Sequence, residues 1–284
     1  MPTIHVAHSP DSDDAFMFWA LATDQFDTED RKYIHELSDI ESLNQRALKA
    51  ELEVTAVSVH AYTRLADTYA ILPHGASMGD REYGPRLVSL NAKPEDVKAG
   101  MRGKRIAVPG ELTTAYLVLK LFEPDFEPVV IPFDQIEDAV VRGEVELGLL
   151  IHEGQLTYQD KGLHLWLDEG AWWYDQTGGL PLPLGCNVVR RDLGEDFIKK
   201  VSRDLRKSIT LGLEHRDEAL KYALQYSRGL SDDQADKFVG MYVNELTVDY
   251  GERGRKAVAE LLNRSADAGL IPADVPIDFI DDSE

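Results

Sequence analysis

A histidine that follows an apolar run is the first candidate in the sequence for proton chemistry. The run Leu147–Ile151 has no polar alternation, which predicts a short strand buried on both faces. His152 comes directly after it, at the edge of the sheet where α/β proteins bind ligands. Because imidazole titrates near neutral pH, His152 is a candidate proton acceptor. A histidine that only hydrogen-bonds locally at the strand end is the alternative, and this segment alone favours it.

Carboxylates are concentrated after the first predicted strand. Asp11, Asp13 and Asp14 fall within four positions, a density that could bind a cation. The segment lacks the spaced ligands and the glycine of a calcium loop. We therefore interpret most of these acids as residues that stabilise the start of the following helix.

Two further strand ends carry hydroxyl groups. Ser58 follows an apolar strand and leads into a helix, a position that an ordinary N-cap also explains. Thr113 and Thr114 begin a helix after the turn at Pro109 and Gly110. Such a helix start presents free backbone N–H groups and hydroxyls, which suit a carboxylate or a phosphate. Each strand end alone is a weak indication of a site, and four that face one cleft are a stronger one.

Aromatic residues cluster in the second half of the chain. Trp172 and Trp173 are adjacent, and in a loop they could stack on a planar ligand and shield it from water. A satellite hydrophobic cluster under a long loop is the alternative. The segment Gly178–Gly185, rich in glycine and proline, is predicted to interrupt regular structure.

Short apolar runs alternate with amphipathic segments, which indicates an α/β protein. The predicted strands are Thr3–Ala7, Tyr33–Leu37, Val54–Val59, Tyr69–Leu72, Leu87–Leu90, Arg105–Gly110, Val129–Phe133, Leu147–Ile151, Leu163–Leu167 and Asn187–Arg190. The predicted helices are Ala15–Ala22, Asp39–Lys49, His60–Ala66, Thr113–Phe122, Ile136–Val141, Glu195–Gly212, Arg216–Tyr226, Ser231–Val243 and Gly254–Ala268. The end of the chain, Asp278–Glu284, is predicted to be a loose acidic tail.

This order of elements implies two lobes, two crossings between them, and a ligand cleft where the lobes meet. Residues 1–90 and 190–284 are predicted to form a first, discontinuous lobe, and residues 91–189 a second. Leu87–Leu90 is therefore expected to extend the sheet of the first lobe.

The composition excludes several classes of partner. A net charge of −21 argues against nucleic acid and against an anionic membrane surface, since both need clustered Lys and Arg. The single cysteine, Cys186, excludes an internal disulfide and a cysteine-based zinc site, and we expect it to be a small buried residue. Scattered histidines disfavour a metal triad. With no secretory signal before the first strand and no apolar run of membrane length, we expect a cytoplasmic protein.

Several motifs together resemble one family almost from end to end. They are Ser9-Pro10 with Asp14-Ala15-Phe16, Glu41-Ser42-Leu43-Asn44, Gly110 with Thr113-Thr114-Ala115-Tyr116, Ile151-His152-Glu153, Gly170-Ala171-Trp172-Trp173, Thr177 through Gly185, and Tyr242-Val243-Asn244. The chain resembles the 1,4-dihydroxy-6-naphthoate synthase family, within the broader menaquinone-biosynthesis group. The resemblance implies a two-lobed periplasmic-binding-protein-like (type II) fold. It also implies a carbon–carbon lyase that converts cyclic dehypoxanthine futalosine into 1,4-dihydroxy-6-naphthoate, with no redox cofactor and no metal.

The resemblance also implies roles for particular residues. His152 matches the proton acceptor, and Thr113 and Thr114 match the residues that bind the substrate carboxylate. The other positions that match substrate-binding residues are Asp14, Asn44, Ala56, Val57, Ser58 and Arg81. The implied partner is a small-molecule carboxylate. The oligomeric state stays open, with a homodimer among the alternatives.

Two segments depart from the family pattern. Asp11-Ser12-Asp13 stands where the family usually has Cys-Pro-Asn, and Ala56-Val57 stands where it often has Lys-Leu. Added acids and a missing lysine make the cleft less attractive to an anion. Two other functions therefore stay open: a chorismate dehydratase of the same group, and a solute-binding protein for a small anion that carries out no chemistry.

Overall fold

The structure is a computed structural model that describes residues 3–81, 83–226 and 231–282. Its strands are β1 (Thr3–His8), β2 (Lys32–Leu37), β3 (Val54–Ser58), β4 (Tyr69–Ile71), β5 (Ser77–Gly79), β6 (Arg86–Ser89), β7 (Arg105–Val108), β8 (Glu127–Val130), β9 (Leu147–Leu150), β10 (His164–Asp168) and β11 (Leu182–Arg190). Its α-helices are α1 (Ser12–Ala22), α2 (Ile40–Ala47), α3 (Val59–Tyr62), α4 (Val97–Met101), α5 (Thr114–Phe122), α6 (Ile136–Val141), α7 (Gly154–Thr157), α8 (Glu169–Thr177), α9 (Glu195–Glu214), α10 (Arg216–Ala223), α11 (Asp232–Tyr242), α12 (Glu245–Val248) and α13 (Gly251–Asp267).

The strands form two separate sheets, one for each lobe. The first has the order β2-β1-β3-β11-β4, with β5 paired to β11, and the second has the order β10-β6-β9-β7-β8. Within the first sheet β1 runs parallel to β2 and β3, so the carboxyl ends of β1 and β3 lie at one edge. In the second sheet β7 runs parallel to β9. These carboxyl ends are the positions that α/β proteins use for ligands.

Apolar residues explain the core of each lobe. All residues of β3 and all residues of β9 are buried, as expected for strands covered on both faces. Helices α1 and α9 pack on one face of the first sheet, and Phe16, Leu205 and Ile209 belong to one buried cluster. In the second lobe, α6 packs against β9, and a second buried cluster includes Ile136 and Leu150. No helix in the described part of the chain is both long enough and apolar enough to cross a membrane.

The strand β6 corrects one prediction. The sequence assigned Leu87–Leu90 to the first sheet, but β6 pairs antiparallel with β9 and β10 in the second. An apolar run predicts a buried strand without indicating which sheet covers it, and this explains the error. Strand membership places the crossings between β5 and β6 and between β10 and β11, earlier in the chain than the predicted boundaries at residues 90 and 190.

In the segment before β11, one prediction is wrong and a second is confirmed only in part. Trp172 and Trp173 lie in the helix α8, which Asp168 caps by accepting a hydrogen bond from an amide of the first turn. Gly178, in the left-handed conformation, ends that helix. The run Gly178–Gly185 has no regular structure over residues 178–181, as predicted, but from Leu182 onward it belongs to β11, whose pairing with β5 shifts register between Pro183 and Gly185.

The end of the chain is also more ordered than the sequence predicted. The Ile71 amide donates to the Asp278 carbonyl, and the Ile280 amide donates to the Ile71 carbonyl, each at 2.9 Å. Asp282 accepts a hydrogen bond from the Ser202 hydroxyl and lies 2.9 Å from Nε2 of His74. Residues 278–280 therefore pair with Ile71 at the edge of the first sheet, and the Asp282 side chain fixes the segment that follows. The last two residues of the predicted tail lie outside the described part.

Candidate active site

A cavity of about 110 Å³ lies between the two lobes. The first lobe contributes Ser9, Asp11, Asp13, Asp14, Ala56, Ser58, Ser77, Gly185, Cys186, Asn187, Phe238 and Tyr242, among others. The second lobe contributes Thr113, Thr114, Ala115, Ile151 and Gln155. The lining includes the carboxyl ends of β1 and β3, as the sequence predicted, and at the end of β9 it includes Ile151 instead of the predicted His152. No Lys, Arg or His belongs to this lining in the described part of the chain.

The acidic side of the cavity is the segment that joins β1 to α1. Asp14 accepts a hydrogen bond from the Ser9 amide at 2.8 Å, and burial raises its pKa to about 6 although the Ser9 bonds oppose the shift. Burial also raises the pKa of Asp13 well above its usual range, and the charges of Asp14, Asp11 and Glu153 add to the effect. Asp11 is the N-cap residue of α1, but its side chain makes no capping bond. These acids therefore line the cavity and do not only stabilise a helix start.

The opposite side of the cavity is the start of α5. The Thr113 hydroxyl donates to the Gly110 carbonyl at 2.8 Å and accepts from the Tyr116 amide at 3.3 Å. The Thr114 hydroxyl donates to the Leu184 carbonyl at 2.6 Å. Both hydroxyl protons are thus used inside the protein. The first amides of the helix have no partner within it, and so the N–H groups of Thr114 and Ala115 are the donors that remain for an anion.

At the end of β3, the predicted residue Ser58 is held at the cavity by a second predicted residue, Asn44. Asn44 is fully buried, and its amide donates to the Ser58 hydroxyl at 3.2 Å and accepts from the Ser58 backbone at 2.9 Å. Asn44 therefore holds Ser58 in place without lining the cavity. Ala56 and Ser58 line the cavity, whereas Val57 points into the core of the first lobe.

His152 lies beside the cavity and is not part of its lining. The ring is 5% exposed, and it meets the Phe133 ring edge to face with 5.3 Å between the centroids. Nδ1 accepts a hydrogen bond from the Gly154 amide at 3.1 Å. Because Nδ1 uses its lone pair in this bond, the neutral ring carries its proton on Nε2. Ile151 and Gln155, on either side of this turn, do reach the cavity.

The remaining predicted residues lie away from the cavity lining. Arg81 is exposed, with its guanidinium carbon 5.9 Å from the centroid of the Tyr174 ring. Trp173 is fully buried in the core, and its indole N–H donates to the Pro181 carbonyl. Trp172 packs edge to face on Phe122. Trp173 therefore belongs to the hydrophobic core and Trp172 is partly buried against it, and the prediction that the two residues shield a ligand is wrong because neither lines the cavity.

The sequence did not identify three polar or reactive residues at the cavity as part of the site. Tyr242 donates from its hydroxyl to Oε1 of Gln155 at 2.8 Å, and Asn187 donates from its amide to the Gly75 carbonyl at 2.9 Å. Cys186 is buried, as predicted, and burial raises the pKa of its thiol to about 12, so the thiol is inert. Tyr242 belongs to one of the family motifs, which is the only signal that the sequence offered for this group.

The arrangement of charges is the main chemical property of the site. Carboxyl groups lie on one side of the cavity and helix amides on the other, and the described residues include no group of His, Cys, Asp and Glu that could hold a metal ion. These groups are chemically complementary to an anionic group at one end of a ligand and to hydroxyl groups at the other.

Comparison with known proteins supports the resemblance. A family model described as menaquinone biosynthesis matches residues 4–267. A 1,4-dihydroxy-6-naphthoate synthase of Thermus thermophilus is 39% identical over 270 residues, which cover 95% of this chain and 96% of that protein. A synthase of the same name from Streptomyces coelicolor is 36% identical over 277 residues, which cover 95% of each chain.

Solved structures agree with the two-lobed fold. The protein AF1704 of Archaeoglobus fulgidus superposes with a TM-score of 0.89 and 49% identity, over 95% of this chain and 98% of that one. A Candida albicans protein described as having the generic periplasmic binding protein fold gives a TM-score of 0.67 with 16% identity, over 96% of this chain and 92% of that one. The chain thus has the periplasmic-binding-protein-like fold that the family resemblance implied.

Proposed function

The chain belongs to the menaquinone biosynthesis family, and on this premise we propose that it is a lyase that converts cyclic dehypoxanthine futalosine into 1,4-dihydroxy-6-naphthoate. Relatives that bear the synthase name cover almost the whole chain, and so the family implies an enzyme. The substrate, the reaction class and the proton acceptor are the parts that we propose.

The division of the cavity into an acidic side and an amide side carries the proposal. The carboxylate of the naphthoate binds at the start of α5, where the N–H groups of Thr114 and Ala115 donate to it. The hydroxyl groups of the sugar-derived part donate to the carboxyl groups of Asp13 and Asp14. Ser58, whose hydroxyl hydrogen has no acceptor among the described residues, donates to the substrate from the end of β3.

The size of the cavity indicates that the lobes separate when the substrate enters. The cavity measures about 110 Å³. A dry cavity of about 150 Å³ holds one benzene molecule, and the naphthoate product alone has two fused rings. The lobes therefore lie close together in this conformation, and they must open to admit the substrate before they close around it.

His152 is the proton acceptor in the proposed reaction. It removes an activated proton from the substrate, and the electron pair left behind completes the aromatic ring as the sugar-derived part departs. A neutral imidazole has the basicity for this step near pH 7. In the closed form, the lone pair of Nδ1 accepts the Gly154 amide and the ring packs on Phe133. The ring must therefore turn from Phe133 toward the substrate before it can accept a proton.

Asp14 is a second candidate for the proton acceptor. It lines the cavity directly, and burial raises its pKa to about 6, which is a suitable basicity for a general base near neutral pH. Replacement of each residue separates the two assignments, since only the true acceptor is needed for the chemical step.

The test uses the purified protein with cyclic dehypoxanthine futalosine and, separately, with chorismate, and follows the ultraviolet absorbance of the naphthoate. We expect turnover of the first compound only. His152→Ala is expected to lower kcat by about 10²- to 10⁴-fold, the usual contribution of general-base catalysis. His164→Ala, which changes an exposed histidine of β10, is the matched control and should keep full activity.

Three outcomes would change the proposal. Turnover of chorismate alone would favour the chorismate dehydratase function. Binding without turnover of either compound would favour a solute-binding protein. Full activity of His152→Ala, together with loss of activity in Asp14→Asn, would transfer the role of proton acceptor to Asp14.

A further inference from the structure

One buried hydrogen bond crosses the gap between the lobes next to His152. The Tyr242 hydroxyl, at the end of α11, donates to Oε1 of Gln155 in α7 at 2.8 Å. Tyr242 is 3% exposed and Gln155 is 1% exposed, so water does not compete for the bond. The two residues come from different lobes, and both line the cavity.

Gln155 is tied to both sides of the turn that carries His152. Its backbone amide donates to the His152 carbonyl at 2.9 Å, and its side-chain amide donates to the Leu150 carbonyl at 3.4 Å. Arg86 of β6 donates to the Gln155 carbonyl at 2.6 Å. The position of the Gln155 side chain therefore constrains the backbone on both sides of His152.

Apolar packing surrounds this hydrogen bond. Phe238, Met241 and Tyr242 of α11 form a buried cluster, against which Leu156 of α7 and Leu184 of β11 pack. The Phe238 and Tyr242 rings meet edge to face with 5.2 Å between their centroids. The ring of Tyr242 is thus fixed by its neighbours, and its hydroxyl is presented to Gln155 in one geometry.

We propose that Tyr242 is a positioning residue, which orders the turn of His152 through Gln155 only when the lobes are closed. The inference rests on the proposed function, in which His152 removes the proton. When the lobes separate, α11 moves away from α7 and the hydrogen bond breaks, because its two partners belong to different lobes. The turn then has its full hydrogen bonding only in the closed complex, so proton removal is coupled to closure around the substrate.

The kinetic test is Tyr242→Phe, which removes one oxygen atom and keeps the ring packing. We expect kcat to fall about tenfold or more and KM to change less than threefold, because the proposed contacts with the substrate are untouched. Tyr222→Phe is the matched control. Its hydroxyl accepts a hydrogen bond from Tyr226 outside the cavity, and its removal should leave both constants unchanged.

A second measurement does not depend on turnover. Hydrogen exchange of the amides of residues 152–157 should be faster in Tyr242→Phe than in the unmodified protein and in Tyr222→Phe. The double variant Tyr242→Phe/Gln155→Met should lose no more activity than the more severe of the two single variants, since both act through one hydrogen bond.

The outcomes distinguish the two proposals. Unchanged exchange and unchanged kcat in Tyr242→Phe overturn the positioning role while the enzymatic function stands. A rise in KM alone also overturns it, because Tyr242 would then be a binding contact. An unmodified protein that is inactive toward cyclic dehypoxanthine futalosine removes the proposed function, and the exchange rates then decide whether Tyr242 orders the turn.

Discussion

Two edges of the first sheet, one at the start of β2 and the other at the carboxyl end of β1, bury carboxyl groups in opposite ways. Next to the start of β2, Asp204 accepts hydrogen bonds from Nε and Nη2 of Arg31, at 2.7 and 3.1 Å, and from the Tyr33 hydroxyl at 2.6 Å. Beyond the end of β1, Asp13 and Asp14 are equally buried, but no cation lines the cavity beside them in the described part of the chain. At the first edge, the compensated edge, a cation balances the buried carboxylate. At the second, the uncompensated edge, two buried carboxyl groups lie together without a cation from the described residues in the cavity lining.

The difference indicates which edge contributes stability and which contributes chemistry. Hydrogen bonding to Asp204 raises the pKa of Arg31, and so the guanidinium beside this buried carboxyl group keeps its charge. At the cavity, burial raises the pKa values of Asp13 and Asp14, which means that their ionised forms are unfavourable in the folded protein. A protein retains such groups where a ligand uses them, since functional sites are where perturbed pKa values cluster.

The largest expected effect is at the compensated edge. Arg31→Met leaves Asp204 buried without its cation, and we expect a loss of about 3–5 kcal/mol in the free energy of unfolding. Denaturant titration measures this loss. The double variant Arg31→Met/Asp204→Leu should recover most of it, because both charges are then removed together. A loss below about 1 kcal/mol in the single variant would show that the pair is not the stabilising contact that we describe.

The second prediction concerns the uncompensated edge, where a substitution is expected to raise the free energy of unfolding instead of lowering it. Burial raises the pKa of Asp14 in the folded protein to about 6, above its ordinary value of 3.8. Asp14 therefore favours the folded state below about pH 4, and this contribution is lost as the pH rises through about 6. Asp14→Asn should be more stable than the unmodified protein at pH 7, by about 3 kcal/mol, with the difference vanishing toward pH 4.

Thermal unfolding at several pH values measures the effect of Asp14→Asn. The exposed residue Asp67 provides the control, and Asp67→Asn should follow the pH dependence of the unmodified protein. A difference between Asp14→Asn and the unmodified protein that is the same at pH 4 and pH 7 would contradict the assignment of a raised pKa to Asp14.

The sequence predicted those parts of the fold and site that local patterns determine. The fully apolar strand β9 and the helix α6 are confirmed, and the helix predicted over Ser231–Val243 is present as α11. The strand ends that carry Asp14, Ser58 and Thr113 do meet at one cavity. These features depend on hydrophobic periodicity and on helix starts, which can be recognised within a few neighbouring residues.

The errors involve contacts between distant segments. The sheet that includes β6 is decided by its pairing with β9, and the order of the last residues is decided by hydrogen bonds to Ile71. The bond from Tyr242 to Gln155 joins residues 87 positions apart, in elements that have no common pattern. The orientation of His152 depends on Phe133 and on its own neighbour Gly154. Periodicity identifies which residues are buried, but it does not identify what they contact.

The smallest expected effect comes from the removal of one hydroxyl oxygen at the compensated edge of the first sheet. Tyr33→Phe removes the hydroxyl that donates to Asp204, while both hydrogen bonds from Arg31 remain. The expected loss is about 1 kcal/mol in the free energy of unfolding, the usual net value of one hydrogen bond, with unchanged kcat. Tyr242→Phe removes the corresponding hydroxyl oxygen at the cavity, and there we expect the main effect to be a lower kcat. If Tyr33→Phe lowered kcat as strongly as Tyr242→Phe, then the two edges would not be functionally distinct.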